Sequence, residues 1–157
     1  MADTPEHLAV RLKEEGEKTL AFFDPLTPDQ WTIEVYTDGM TWSVREVLCH
    51  IAITEASFGR LLENIIAGGD GAPEDFNINA YNERKVAQME EAPLEGLKES
   101  YRQARLRNVE IVSNLRLEDL ERRGRHPFLG VAPLVDIIKL IYRHNQLHLR
   151  DVRKLLV

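Results

Sequence analysis

Apolar residues recur at the spacing of an amphipathic helix in several stretches of the chain. The first stretch covers residues 5–23, and a proline soon after it marks its end. The second runs from Val44 to about Ala67. The residues Ser43 and Glu46 form a capping-box pattern at its start, and a group of glycines follows it. This half of the chain is therefore predicted to contain two long helices joined by a turn-rich connection.

The second half of the chain is also predicted to contain two long helices. Pro93 is suited to open a third helix that fades near Leu115, and Pro133 is suited to open a fourth that runs nearly to the end. A further helical stretch begins at about Ala80, and no run alternates apolar and polar residues, so no strand is predicted. Four amphipathic helices with long connections predict an all-α four-helix bundle, with residues 1–157 forming a single domain.

Composition and charge narrow the function classes. The chain has a formal net charge of −6, and its basic residues alternate with acidic ones, so nucleic acid is not an expected partner. The polar, acidic N-terminus lacks a signal-peptide pattern and no apolar run is long enough to cross a bilayer, which predicts a cytoplasmic protein without membrane contact. Cys49 is the only cysteine, so a thiolate zinc cluster is excluded and a small core side chain is expected.

Two histidines interrupt the apolar face of the predicted fourth helix. This face is formed by Leu134, Ile137, Ile138, Ile141, Val152 and Leu155. His144 and His148 occupy positions in the middle of the face where leucine or isoleucine would be expected. Residues four apart on a helix lie one above the other, about 6 Å between Cβ atoms, so both imidazoles can bind one ion.

An H-x-x-x-H pair does not by itself establish a metal site, because histidines hydrogen-bonded to neighbouring helices give the same pattern. His50, two turns into the second helix, is a third candidate, since Thr54 and Ser57 lie on its face and small polar residues suit a cavity wall. An ordinary half-buried histidine is the alternative. His7, in the first turn of the first helix, and His126, in an arginine-rich loop, are expected at the solvated surface.

Two segments together resemble the DinB/YfiT-like family, a set of bacterial four-helix-bundle proteins that includes metal-dependent enzymes. They are TWSVREVLCHIA at 41–52 and HNQLHLRDVRKLL at 144–156, and the LTPDQW turn and the PLEGL helix start agree. In that family a histidine of the second helix joins an H-x-x-x-H pair of the fourth helix to bind a divalent metal. The resemblance therefore implies that His50, His144 and His148 are metal ligands. It also implies an up-down-down-up order of helices, which the long connections permit.

Three neutral imidazoles bind borderline divalent metals such as zinc, nickel or iron and leave a coordination position for water or substrate. Such a position favours the deprotonated form of a bound water or thiol near neutral pH. The resemblance adds a low-molecular-weight thiol as a possible second cofactor, because characterised relatives include thiol-dependent transferases and isomerases. The leading hypothesis is a metal-dependent thiol S-transferase or hydrolase acting on a small-molecule substrate. The alternative is a non-catalytic bundle that binds a metal or small ligand or forms a homodimer.

Four further residues are candidates for supporting roles. Asp151, three residues after His148, and Glu46, four before His50, are placed to orient imidazoles as hydrogen-bond acceptors. A surface or capping carboxylate is the alternative for each. Asn82 and Arg84 are candidates for the substrate pocket, where arginine can bind a carboxylate, although a solvated helix start also explains them.

Overall fold

The computed structural model of the protein describes residues 2–156, which consist mainly of α-helices. The bounds of the elements are α1 Pro5–Phe23, α2 Pro28–Trp31, β1 Glu34–Tyr36, β2 Trp42–Ser43, α3 Val44–Ile66, α4 Ile78–Gln88, α5 Leu94–Ser113, β3 Arg123–His126, β4 Gly130–Pro133 and α6 Leu134–Arg153. A 3₁₀ turn over Leu117–Glu121 separates α5 from β3. The long helices α1, α3, α5 and α6 are the four predicted from the apolar periodicity, and α4 is the shorter helical stretch predicted before the third of them.

Local residues set the starts of the long helices. The Ser43 hydroxyl accepts a hydrogen bond from the Glu46 amide while the Glu46 carboxylate accepts one from the Ser43 amide, so the predicted capping box opens α3. Pro93 and Pro133 lie one residue before α5 and α6, as N-cap residues rather than inside the first turn. Both prolines have extended backbone angles there, so each ends the preceding connection and starts its helix.

The prediction of a chain without strands is wrong, because two antiparallel hairpins lie in the long connections. β1 pairs with β2 directly before α3, and β3 pairs with β4 directly before α6. These strands are only two to four residues long, which is too short for an alternating pattern to be recognised. Each hairpin leads into a long helix and brings residues from the connection onto the bundle.

Helices α1 and α6 run parallel to each other. Asp3, just before α1, forms an ion pair of 2.7 Å with Lys139 near the start of α6. Phe22, near the end of α1, packs beneath the guanidinium of Arg153 at the end of α6, at 5.1 Å from the ring centroid. Because the start of α1 contacts the start of α6 and the two ends also contact each other, the two helices run in the same direction.

Helices α3 and α5 are also parallel. Arg45, in the first turn of α3, donates a hydrogen bond to the carbonyl oxygen of Ala92 just before α5. Towards the other end, Glu63 of α3 accepts a hydrogen bond from Arg107 of α5. The chain therefore enters both helices at the same end of the bundle, and the long connection that contains α4 returns it to that end.

Helix α5 is antiparallel to α1, which completes the topology. Lys98, in the second turn of α5, lies 3.4 Å from the carboxylate of Asp24, just after the end of α1. Arg105, further along α5, donates to the carbonyl oxygen of Leu12 in the middle of α1. The four long helices are therefore ordered up-down-down-up, as the family resemblance implied. Both α1 and α3 pack against α5 and α6, so the two consecutive helices α1 and α3 lie across the bundle from each other.

Apolar side chains fill the bundle in two clusters, and on α3 the boundary between them falls at Glu55. Both carboxylate oxygens of Glu55 accept hydrogen bonds from Arg105 of α5, at 2.7 and 2.8 Å, and both side chains are almost completely buried.

The sequence predicts Leu155 in the apolar stripe of α6, but this residue lies beyond the end of the helix and is 43% exposed. None of the helices within residues 2–156 has the length and hydropathy needed to cross a bilayer.

Candidate metal centre and the adjoining cavity

Three histidines from two helices face one another inside the bundle. His50 lies in the second turn of α3, and His144 and His148 lie on one face of α6. The Nε2 atom of His144 is 3.0 Å from Nε2 of His50 and 3.0 Å from Nε2 of His148. One nitrogen from each ring lies within 4.8 Å of the others, so the three residues form a group that could hold a metal ion.

All three imidazoles are held in the neutral form. Burial lowers the pKa of His50 to about 3, with a further contribution from His148, and burial lowers the pKa of His148 to about 4. The pKa of His144 is lowered well below its ordinary value by burial and then by the neighbouring histidines. A neutral imidazole keeps one nitrogen lone pair, which is the form that binds a metal.

Tyr36, from β1, fixes the orientation and tautomer of His148. Its hydroxyl donates a hydrogen bond of 2.6 Å to the Asp151 carboxylate and lies 2.7 Å from His148 Nδ1. A phenol has one hydrogen, so when that hydrogen goes to Asp151 the tyrosine oxygen must accept the proton of Nδ1. Burial and the adjacent carboxylate raise the pKa of Tyr36, which keeps the phenol protonated. The lone pair of His148 is therefore on Nε2, facing the other two rings.

The other two rings have different surroundings. Nδ1 of His50 lies 3.4 Å from the Thr54 hydroxyl one turn further along α3, and the Trp42 ring packs against His50 at 4.9 Å between centroids. Nδ1 of His144 is buried and has no hydrogen-bond partner within residues 2–156. The orientation of His144 is therefore set by packing and by the approach of its Nε2 atom to His50 and His148.

The structure places the predicted supporting carboxylates in different environments. Oε1 of Glu46 accepts hydrogen bonds from the Ser43 amide and hydroxyl, at 3.0 and 3.1 Å, so this carboxylate caps α3 while the outer nitrogen of His50 faces Thr54. Asp151 lies near His148 but acts on it through the Tyr36 hydroxyl rather than by direct contact.

The donor set fits a borderline divalent metal ion. Three uncharged imidazole nitrogens converge on one point, and the tautomer of His148 directs a lone pair towards that point. Lone pairs facing each other at 3.0 Å repel unless a proton or a cation lies between them. The hydrogen-bonded carboxylate behind His148 is also the arrangement that supports a metal-binding imidazole.

A cavity of about 340 Å³ adjoins the histidine group. It lies between α3, the start of α4 and the β3–β4 hairpin, and its walls are mainly apolar. The residues that connect it to the histidines, or give it polar groups, are Thr54, Ser57, Phe58, Arg60, Asn64, Tyr81, Asn82 and His126. Of the two predicted pocket residues, Asn82 lines this cavity. Arg84 is exposed, and its guanidinium lies over the Tyr81 ring at 5.6 Å from the centroid.

His126 is not the solvated surface residue that the sequence predicted. Its ring stacks on Phe58 of α3, with 5.4 Å between centroids and planes 19° apart. Phe58 in turn contacts His144 edge-on, at 6.4 Å between centroids. Burial lowers the pKa of His126 to about 4, so the ring is neutral near pH 7. His7 is exposed, as predicted.

The fold and the site together define a class of protein. It is an up-down-down-up helical bundle in which three histidines face one another. The model of the DinB superfamily matches residues 11–152, and the chain belongs to this superfamily. A comparison with curated protein sequences finds no match.

Two solved structures have the same fold. YfiT from Bacillus subtilis, described as a probable metal-dependent hydrolase with an unusual four-helix bundle topology, is 18% identical with a TM-score of 0.79, over 96% of this chain and 85% of that one. The colibactin self-resistance protein ClbS, in a complex with double-stranded DNA, is 14% identical with a TM-score of 0.73, over 99% of this chain and 97% of that one. At these identities the similarity shows the shared fold.

Removing the Tyr36 hydroxyl is expected to weaken metal binding. Tyr36→Phe leaves His148 Nδ1 without its acceptor and separates Asp151 from the imidazole, and loss of such an outer partner typically costs about 10- to 100-fold in metal affinity. Competition with a chromogenic chelator measures the change. The control is Tyr81→Phe, which removes a hydroxyl from the cavity wall and should leave the affinity unchanged. Equal affinities for wild type and Tyr36→Phe would contradict the role given to Tyr36.

The buried neutral histidines predict acid sensitivity of the metal-free protein. Their pKa values in the folded state lie below the value of about 6.5 expected in the unfolded chain. Between about pH 6.5 and pH 4 the unfolded chain therefore binds more protons, and the free energy of unfolding falls as the pH is lowered. Urea unfolding after chelator treatment should show a midpoint that decreases from pH 7 to pH 5. His126→Phe should reduce this decrease, whereas His7→Phe should not.

Proposed function

We propose that the protein is a divalent-metal-dependent enzyme that activates water or a thiol for attack on a small molecule bound in the cavity. The observation that carries this proposal is the convergence of three neutral imidazole nitrogens beside a cavity large enough for a small ligand. The description of YfiT as a probable metal-dependent hydrolase supports the hydrolytic form of the reaction.

The chain contributes the binding and orienting groups of this reaction. His50, His144 and His148 would hold the ion, and Tyr36 with Asp151 keeps the lone pair of His148 directed at it. A divalent ion held there would supply Lewis acidity, which favours the deprotonated form of a coordinated water or thiol near neutral pH. The apolar walls of the cavity would exclude bulk water from the remainder of the substrate.

The histidine group and the cavity share two bordering side chains. Thr54 contacts His50 and also lines the cavity, and Phe58 contacts His144 and also lines the cavity. A ligand in this space would therefore lie against the same two side chains that border the imidazoles. A structural zinc site would instead complete its coordination with a fourth protein ligand.

The proposal is tested with protein purified without an affinity tag. After chelation, the chain is reloaded with zinc, nickel or ferrous iron and assayed with chromogenic esters and other electrophiles, with and without small thiols. We expect saturable, metal-dependent turnover that is lost in His50→Ala and retained in His7→Ala, which changes an exposed histidine outside the site. Saturable metal or ligand binding without turnover across the panel would favour the non-catalytic alternative.

DNA binding is expected to be weak for this chain. ClbS has been solved in a complex with double-stranded DNA, but the net charge of −6 gives this chain little to gain from counterion release. Fluorescence anisotropy with duplex DNA should show no submicromolar complex at physiological salt concentration. A tight complex that persists as the salt concentration is raised would contradict the prediction and identify nucleic acid as a partner of this protein.

A further inference from the structure

His126 lines the cavity beside the three-histidine group, and the proposed metal chemistry does not use it. It is the last residue of β3, and its Nδ1 atom accepts hydrogen bonds from two amides of the hairpin turn, those of Phe128 at 2.9 Å and Leu129 at 3.3 Å. An imidazole nitrogen that accepts hydrogen bonds carries no proton. In the neutral ring the proton is therefore on Nε2, and the turn makes His126 a hydrogen-bond donor of known tautomer.

The position of the donor is as restricted as its tautomer. The ring lies nearly parallel to Phe58, and the two hydrogen bonds to the turn prevent it from flipping. Nδ1 is directed at the hairpin turn while His126 lines the cavity, so Nε2 is the polar atom left for a ligand. Phe58 separates this ring from His144, which places the donor one aromatic layer from the histidine group.

The surroundings of this donor determine what kind of ligand it can recognise. The cavity walls are mainly apolar and include Phe58, which stacks on the His126 ring, together with Leu61, Pro73, Phe76 and Ile78. An apolar wall favours an apolar ligand, but a ligand without an acceptor would leave the His126 N–H without a partner when it displaces water. The best match is a molecule with a mainly apolar body and an acceptor oxygen placed to reach His126.

We propose that the cavity selects small apolar molecules that carry an acyl oxygen, and that His126 binds this oxygen through its Nε2–H. The low pKa of the ring keeps it a neutral donor across the physiological range. The inference rests on the proposed function only in taking this cavity as the substrate site. Binding of the acyl compound itself requires no metal ion.

The experiment compares two probes of the same shape in the metal-free protein. Acetophenone carries an acyl oxygen, and α-methylstyrene replaces that oxygen by a methylene group. Titrations followed by amide chemical shifts should show acetophenone binding about two- to tenfold more tightly, the effect of one hydrogen bond. His126→Phe keeps an aromatic ring on Phe58 and should abolish this preference while α-methylstyrene binds as before. His7→Phe is the matched control and should retain the preference.

A second measurement does not depend on any variant. Nitrogen-15 spectra of the wild-type imidazoles should show an unprotonated Nδ1 and a protonated Nε2 for His126, and the Nε2 signal should move when acetophenone binds. The opposite tautomer, no binding of either probe, or a preference for acetophenone that persists in His126→Phe would overturn the inference. Because both measurements use metal-free protein, their outcome is separate from that of the metal-dependent assay. Binding without turnover would reject the enzyme and retain the ligand site.

Discussion

The double variant His144→Ala/His148→Ala is expected to lose its metal almost completely, from about one ion per chain to a background level. The two substitutions remove two of the three nitrogens that converge inside the bundle, and His50 alone cannot hold an ion at micromolar concentration. Elemental analysis of untagged protein measures the metal content directly. The fold should persist, because apolar burial supplies most of the stability of a helical bundle.

Two further proteins make this experiment interpretable. His7→Ala removes an exposed histidine outside the site and should keep the wild-type metal content. His50→Ala removes the one proposed ligand that comes from α3 and should lower the affinity while the α6 pair remains. An unchanged metal-to-protein ratio in a folded double variant, as judged by circular dichroism, would reject the three-histidine site.

Glu55→Ala is expected to destabilise the protein by about 3–5 kcal/mol, the cost of leaving a buried charge without its partner. Arg105 is 3% exposed, and two of its nitrogens donate to the two oxygens of Glu55. Asn108 also donates to this carboxylate, at 2.7 Å, so the substitution removes several hydrogen bonds at once. The free energy of unfolding in urea gives the change.

The same pair of helices provides a matched control. Glu63, two turns further along α3, pairs with Arg107 of α5, but these side chains are 43% and 67% exposed. An exposed ion pair contributes about 0–1 kcal/mol, so Glu63→Ala should have a small effect. Similar losses of unfolding free energy for the two variants would show that burial does not determine the contribution of the Glu55–Arg105 pair to stability.

The helices were predictable because their signals are local. The Ser43–Glu46 capping box, the prolines at 93 and 133 and the apolar periodicity all act within a few residues, and they located α3, α5 and α6 to within one or two residues. The histidine pair of α6 could also be noticed from the sequence, because it interrupts an apolar face. The placement of His50 opposite that pair required the family resemblance. The residues near His50 carry no local pattern that predicts a contact with a residue 94 positions away.

The surroundings of the site could not be predicted in the same way. Tyr36 is 112 residues from His148 and lies on a strand of three residues, which is too short to give a periodic signal. The flanking arginines predict a solvated His126, but the hairpin turns it onto Phe58, an aromatic residue of α3. The available signal for this hairpin was Gly130, a turn-prone residue that lies between the apolar residues Leu129 and Val131.

The distance along the chain between His50 and His144 would make a metal ion bound between them a stabiliser of the folded state. His50 and His144 belong to different helices and are 94 residues apart, so their nitrogens converge only after the bundle has formed. An ion that binds the folded chain and not the unfolded one shifts the equilibrium by mass action, by about 2.7 kcal/mol at a free concentration one hundred times the Kd. The melting temperature of this protein should therefore rise with the free concentration of its preferred metal. A thermal-shift series over several divalent ions would rank them by affinity without any knowledge of the substrate.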